Sequence, residues 1–328
     1  MGRPGSYQGP AGGTRIATLP IVHSERPIAV YGALAGNLLI AAAKFGVGLL
    51  TGSSAMLSES FHSLVDSGNQ LLLLVGIRRS RRPPDERHAF GHGKELYFWS
   101  LLVAIALFGI GAGLSVYEGI THLQHPHPIT DAVWTYVVIG VAFVIELTSW
   151  SIGMHEMLRN AGGRGLWQGI VGSKDPTAVT VVFEDSAAMI GLVLAFLGVL
   201  LSSLLDTPLY DALASVGIGL VLAGAAVFLA YESQGLLVGE TARPDIVASI
   251  RSIASKDPDV AEAGHPLTMH LGPRQILLNL DVTFRDGLSS AQVTAAVDRL
   301  EGAIREQHPE VDRIFIEAER LRPAGAQG

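Results

Sequence analysis

Between Ile28 and Leu237 the chain is built from long, mostly apolar runs that carry hardly any charge. A helix needs about 20 such residues to cross the hydrocarbon layer of a bilayer. Inside that layer every backbone polar group must be bonded within the protein, and helices do this unaided. Six runs of this kind are read: Ile28–Leu50, Ala55–Ile77, Leu96–Leu123, Ala132–Met154, Thr177–Leu204 and Tyr210–Tyr231. The second is the least apolar, because it holds Glu59, His62, Asp66 and Asn69. Connectors containing Pro or Gly separate the runs, among them Thr51-Gly52-Ser53, Gln124–Thr130 and Asp206-Thr207-Pro208. The expectation is a polytopic α-helical membrane protein with six transmembrane helices in residues 28–237. Residues 1–27, rich in Gly, Pro and Ser, are expected to form a disordered cytosolic tail.

The basic residues orient these spans. The connectors after the first, third and fifth runs hold no Lys or Arg. The connector after the second holds Arg78, Arg79, Arg81, Arg82, Arg87 and Lys94, and the one after the fourth holds Arg159, Arg164 and Lys174. Cytoplasmic loops carry the excess of Lys and Arg, so both termini are expected in the cytosol. Compact loops and the lack of a targeting peptide favour a bacterial plasma (inner) membrane. The formal net charge of -7 argues against nucleic acid as a partner. The absence of cysteine excludes disulfides, thiolate metal sites and Cys catalysis.

From about Arg243 the texture becomes that of a soluble domain. Asp245–Ser255 and Ser289–Gln307 read as amphipathic helices, with Ile246, Ile250 and Ile253 on one face of the first. Thr268–Leu271, Gln275–Phe284 and Arg313–Ile316 read as strands. Residues 238–322 are therefore expected to be a small cytosolic α+β domain of ferredoxin-like αββαβ order, with 323–328 as a tail. A domain this small gains stability from a second copy, so a homodimer is expected.

Ionisable groups inside a span are costly and mark function or pairing. His62 and Asp66 are four apart and share one face of the second span, one turn from each other. An imidazole nitrogen and a carboxylate oxygen so placed can ligate one divalent cation. Glu59 extends that face as an auxiliary candidate. The fifth span adds Glu184 and Asp185, which point about 100° apart; Asp185 is preferred. The bland alternative is that these groups pair only with one another. Lys44 reads as a counter-charge to a buried carboxylate.

These motifs resemble the cation diffusion facilitator family, in its zinc-transporter type, over most of Ala29–Glu319. The residues carrying the likeness are Asn37 and Lys44, the His62…Asp66 pair, and the run Pro84-Asp85-Glu86-Arg87-His88-Ala89-Phe90-Gly91-His92-Gly93-Lys94. The Ser173-Lys174-Asp175-Pro176 entry and the Glu184-Asp185 pair resemble a branch that includes a mitochondrial zinc transporter. The resemblance implies a transport site of His62, Asp66 and Asp185. Val181 stands where a second His is usual, so Glu184, Glu59 or a water would fill the gap. It also implies a second metal site in the connector, from Asp85, His88 and His92, and a weaker one in the C-terminal domain at His265. The implied activity is proton-coupled efflux by alternating access, with Zn(II) as substrate ion rather than cofactor, and with protons, divalent cations and membrane lipid as partners. Mn(II), Fe(II) and Co(II) stay open as substrates, because an oxygen-rich site suits harder ions. Rival readings are a membrane-embedded metal sensor or scaffold that binds zinc without transport, a channel, and a metalloenzyme. The last fails at His155-Glu156, where Arg159 replaces the second His of a zinc protease motif, so no enzyme is expected.

Overall fold

A computed structural model describes residues 27–129, 131–160 and 176–319. The expected tails at 1–27 and 323–328 lie outside these residues apart from Pro27, as do Arg164 and Lys174 of the basic connector. The apolar runs fold as α1 (Pro27–Thr51), α2 (Ser54–Ser80), α3 (Glu95–Ala106), α4 (Gly113–Gln124), α5 (Ala132–Asn160), α6 (Pro176–Leu204) and α7 (Leu209–Val238). A π-helical turn, Leu107–Ala112, joins α3 to α4, so the two form one rod. Small residues let α4 and α7 approach closely. A Cβ on Gly119 would sit 2.8 Å from the backbone nitrogen of Val216, and one on Gly219 would sit 2.6 Å from Val116 Cγ2. Close backbone approach through small residues is the usual glue of helices in lipid.

Four helices among the described residues are long and apolar enough to cross a membrane: Glu95–Gln124, Ala132–Arg159, Val179–Leu204 and Leu209–Val238. The six expected spans are therefore not all established by composition. The described apolar stretch of α1 is Gly36–Thr51, and α2 is diluted by the polar stripe from Glu59 to Asn69 and by Arg78 and Arg79. That stripe is turned inward: Glu59 and His62 are fully buried, and Asn69 nearly so.

Asp211 ties the start of α7 to the connector between α1 and α2. It is fully buried at the start of α7 and accepts hydrogen bonds from Ser53 Oγ at 2.6 Å and from the backbone N–H of Ser54 at 2.6 Å. Ser53 itself caps α2, accepting from the N–H of Met56 at 3.2 Å. A carboxylate at a helix N-terminus satisfies orphan N–H groups and complements the helix dipole.

The C-terminal domain contains α8 (Pro244–Ser255), β1 (Val260–Ala263), β2 (Leu267–Gly272), β3 (Gln275–Phe284), α9 (Ser290–Gln307) and β4 (Val311–Glu319). The order is αβββαβ, which corrects the expected αββαβ. The missed strand, Val-Ala-Glu-Ala, is short and poor in strand-forming residues; it exists because β3 offers Val282–Phe284 as an antiparallel partner. β2 pairs antiparallel with the other end of β3, and β4 runs parallel along its opposite edge. Alternate residues of β3, Ile276, Leu278, Leu280 and Val282, are buried against Ile246, Ile250, Leu300 and Ile304 of the two helices. Ser289 and Gln292 close a capping box at the start of α9.

Candidate metal centres

The polar stripe of α2 runs along α6. Glu59 Oε1 reaches Gly191, leaving no room there for a side chain, and Asn69 Nδ2 donates to Glu184 Oε1 at 2.7 Å. Between these contacts lie His62 and Asp66, with His62 Nε2 3.4 Å from Asp66 Oδ2. Both ring nitrogens of His62 and Oδ1 of Asp66 are buried without a hydrogen-bond partner. Buried polar atoms are nearly always satisfied, so three orphaned ligand atoms in one turn of helix are unusual. A neutral imidazole keeps a lone pair on one of its two nitrogens, so His62 and Asp66 could offer one nitrogen and one carboxylate to a cation.

The two acids of α6 diverge, as their 100° separation requires. Glu184 turns to α2 and Asn69, within Coulombic range of Asp66. Asp185 turns to α5, where Ser149 Oγ donates to its Oδ2 at 2.8 Å. Val181 packs beside α5, with Cγ1 3.7 Å from where a Cβ on Gly153 would lie. Lys44 of α1 reaches Glu59: its Nζ is 3.0 Å from Glu59 Oε2 and donates to Ser63 Oγ at 2.8 Å. Lys44 is thus the counter-charge of a buried carboxylate, and Glu59 keeps only Oε1 uncommitted. Sequence reading overlooked Glu146 of α5. It lies within Coulombic range of Asp66, Asp185 and Lys44. A signal was present, because Glu146 is the one charged residue between Ala132 and Met154.

The second centre lies in the connector between α2 and α3. Asp85, His88 and His92 present three ligand atoms within 4.8 Å of one another, the only such set among the described residues. Asp85 Oδ1 is 3.1 Å from His88 Nδ1, and Oδ2 is 3.4 Å from His92 Nε2. The backbone N–H of His88, donating at 2.7 Å, is the main reason the Asp85 carboxyl is held below the usual carboxylate range. The group is therefore a carboxylate at neutral pH, the form that could ligate a cation. His92 is buried, and its Nδ1 has no hydrogen-bond partner. Two imidazoles and a carboxylate fit zinc, with a fourth position left for water or another donor. The connector also rests on the C-terminal domain: a Cβ at Gly93 would collide with the carbonyl oxygen of Leu271, and Phe90 meets Phe315 edge-on at 6.4 Å.

His265 is exposed between β1 and β2 and belongs to no tight ligand cluster among the described residues. Asn279 and Glu317 lie on β3 and β4, paired with other residues of the sheet.

Comparison with known proteins places these features. The cation efflux transmembrane domain matches residues 30–238. The mitochondrial proton-coupled zinc antiporter SLC30A9 of Xenopus laevis is 36% identical over 71% of this chain and 42% of its own length. Its human counterpart is 34% identical over 74% of the chain and 43% of its own length, so the chain spans less than half of these relatives. The cation-efflux pump FieF of Escherichia coli O1:K1 / APEC is 28% identical over 87% of the chain and 93% of its own length. The matched segment holds all of α2, α5, α6 and α7, which carry the buried acids, and its family consists of transporters rather than enzymes. With a helical membrane domain that buries histidine and carboxylate side chains in its core, followed by a small α+β domain, the chain belongs to the cation efflux family.

Proposed function

We propose that this protein exports zinc from the cytosol in exchange for protons, through a site built on His62, Asp66 and Asp185. The observation that carries the reading is the orphaned set of ligand atoms on His62 and Asp66, buried at mid-bundle. All six long helices cross the bilayer in this reading, α1 and α2 included, with both termini and the basic connectors on the cytosolic side. Metal arrives from the cytosol, sheds most of its water and binds the deprotonated ligands. Rocking of the bundle opens the site outward, where protons compete for the same atoms and displace the metal. The charge released by the departing cation is replaced by protons, so the empty site can return. The named activity of the SLC30A9 relatives, proton-coupled zinc antiport, supports this reading.

Glu184 serves as an auxiliary acid, held by Asn69. Asp85, His88 and His92 hold a second metal that stiffens the connector against the C-terminal domain. Exposed Leu267 and Phe315 on that domain suit contact with a second copy, and we take the working form to be a homodimer. Proton exchange calls for a membrane that maintains a proton gradient. We assign the bacterial plasma membrane, since the Escherichia coli relative is matched over nearly its whole length.

The test is metal flux into proteoliposomes under a pH gradient, with Zn, Mn, Fe and Co in competition. His62→Ala and Asp66→Ala should abolish zinc uptake while the proteins still fold. Zinc movement at the wild-type rate in the double variant would overturn the assignment. Binding without flux in the wild-type protein would favour the sensor reading, to which the compact Asp85, His88 and His92 cluster lends support.

A further inference from the structure

We propose that Glu146 of α5 is a ligand of the transport site, supplying from a different helix the donor that Val181 cannot. This deepens the reading above and rests on it.

Glu146 lies mid-way along an apolar helix, where an acid must be paired or functional to be tolerated. The cation nearest to pairing with it is Lys44, but Lys44 is already engaged by Glu59 at 3.0 Å and Ser63 at 2.8 Å. Pairing therefore does not account for Glu146.

Its direction follows from its neighbours on the helix. Ser149, three residues on, donates to Asp185 at 2.8 Å, and Trp150, four residues on, donates through Nε1 to Ser186 Oγ at 2.9 Å. Residues three and four apart share a helix face, so Glu146 occupies the face of α5 that addresses α6. Gly153, a further turn along, meets Val181 and Val182. α5 and α6 therefore run antiparallel. Glu146 stands about one turn, roughly 5 Å, nearer the exit end than Asp185. Val181 stands one turn nearer the cytosol.

The same level is fixed from α2. Asn69 aligns with Glu184 and Glu59 with Gly191, so His62 falls between them, opposite the turn of α6 that follows Asp185. Glu146 thus shares a layer with His62. Its Coulombic range takes in Asp66, Asp185, Glu59 and Lys44, groups carried by three other helices. As placed, these groups are less tightly gathered than Asp85, His88 and His92; drawn together on one ion, His62, Asp66, Asp185 and Glu146 would offer one nitrogen and three carboxylates. That set binds Zn(II) and accommodates Mn(II) more readily than a site with two imidazoles.

The experiment is equilibrium metal binding to the purified full-length protein in nanodiscs, in a His88→Ala/His92→Ala background that silences the connector centre. Binding, not flux, is read, so a protein that fails to transport still reports on the ligand set. Zn(II) and Mn(II) are titrated separately. Glu146→Gln should weaken zinc binding by about tenfold or more, the loss typical even of groups that merely support a metal ligand. Glu146→His should retain zinc and lower the Mn:Zn affinity ratio. A Glu146→Gln protein that binds both ions as the background does, while His62→Ala weakens them, overturns the proposal without touching the transport site itself. Should Glu146→Gln melt early, Glu146→His decides: an unchanged Mn:Zn ratio refutes the inference.

Discussion

Replacing Lys44 with Met should be among the most damaging single changes in the bundle. Lys44 and Glu59 have fully buried side chains, and their charged atoms are 3.0 Å apart. The second oxygen of Glu59 already lacks a hydrogen-bond partner. Without Lys44, the carboxylate loses its counter-charge and faces Glu146, a further acid in the same core. Removing one partner of a buried pair costs about 3–5 kcal/mol, because the other is left unpaired in a medium of low dielectric. For a domain of this size that is a fall in Tm on the order of 10 °C. Replacing both partners, as Lys44→Met/Glu59→Met, removes the stranded charge and should restore most of the loss. Thermal melting of the wild type, Lys44→Met, Glu59→Met and the double variant in detergent, followed by tryptophan fluorescence, gives the coupling directly. If Lys44→Met melts with the wild type, or if the double variant is no better than the single, the pair does not neutralise a buried charge and the reasoning fails.

Asp211→Ala removes two strong hydrogen bonds at the α2 N-terminus and should cost about 3 kcal/mol, measured by the same melts; Asp211→Asn should recover part of it. Gly93→Ala drives a methyl group into the Leu271 carbonyl, and should lift the connector from the C-terminal domain. The expected result is faster proteolysis within Arg81–Lys94, with membrane-domain melting unaffected. In the C-terminal domain, hydrogen bonds from Arg299 hold the Asp257 carboxyl below its usual range. A depressed folded pKa means that the contribution is complete above the unfolded value of ~3.9 and is lost as pH falls through the lower folded one. Asp257→Asn should therefore weaken hydrogen-exchange protection where the α8–β1 turn meets α9 at pH 7, and the two proteins should converge once the pH falls below the depressed folded value.

Four membrane-domain helices were legible because the bilayer reads one property, continuous apolarity over a fixed length, and composition records it residue by residue; α1 and α2 do not meet that measure among the described residues. The His62…Asp66 pair was legible for a related reason: a helix of fixed period puts residues four apart on one face whatever surrounds it. The same local logic gave β3 its alternating buried face. Tertiary structure alone decided which helix each acid addresses. Asp185 turns to Ser149 and Glu184 to Asn69, because rotation about a helix axis is set by neighbouring helices and not by local sequence. It also decided that Lys44 meets Glu59 across a helix pair, and that Val260–Ala263 becomes a strand because β3 has a free edge to offer. Glu146 lay in plain view as a lone acid in an apolar run. Its influence on Asp66 and Asp185 became visible only once α5 was packed against α6, since proximity between helices is a property of the bundle and not of any single segment.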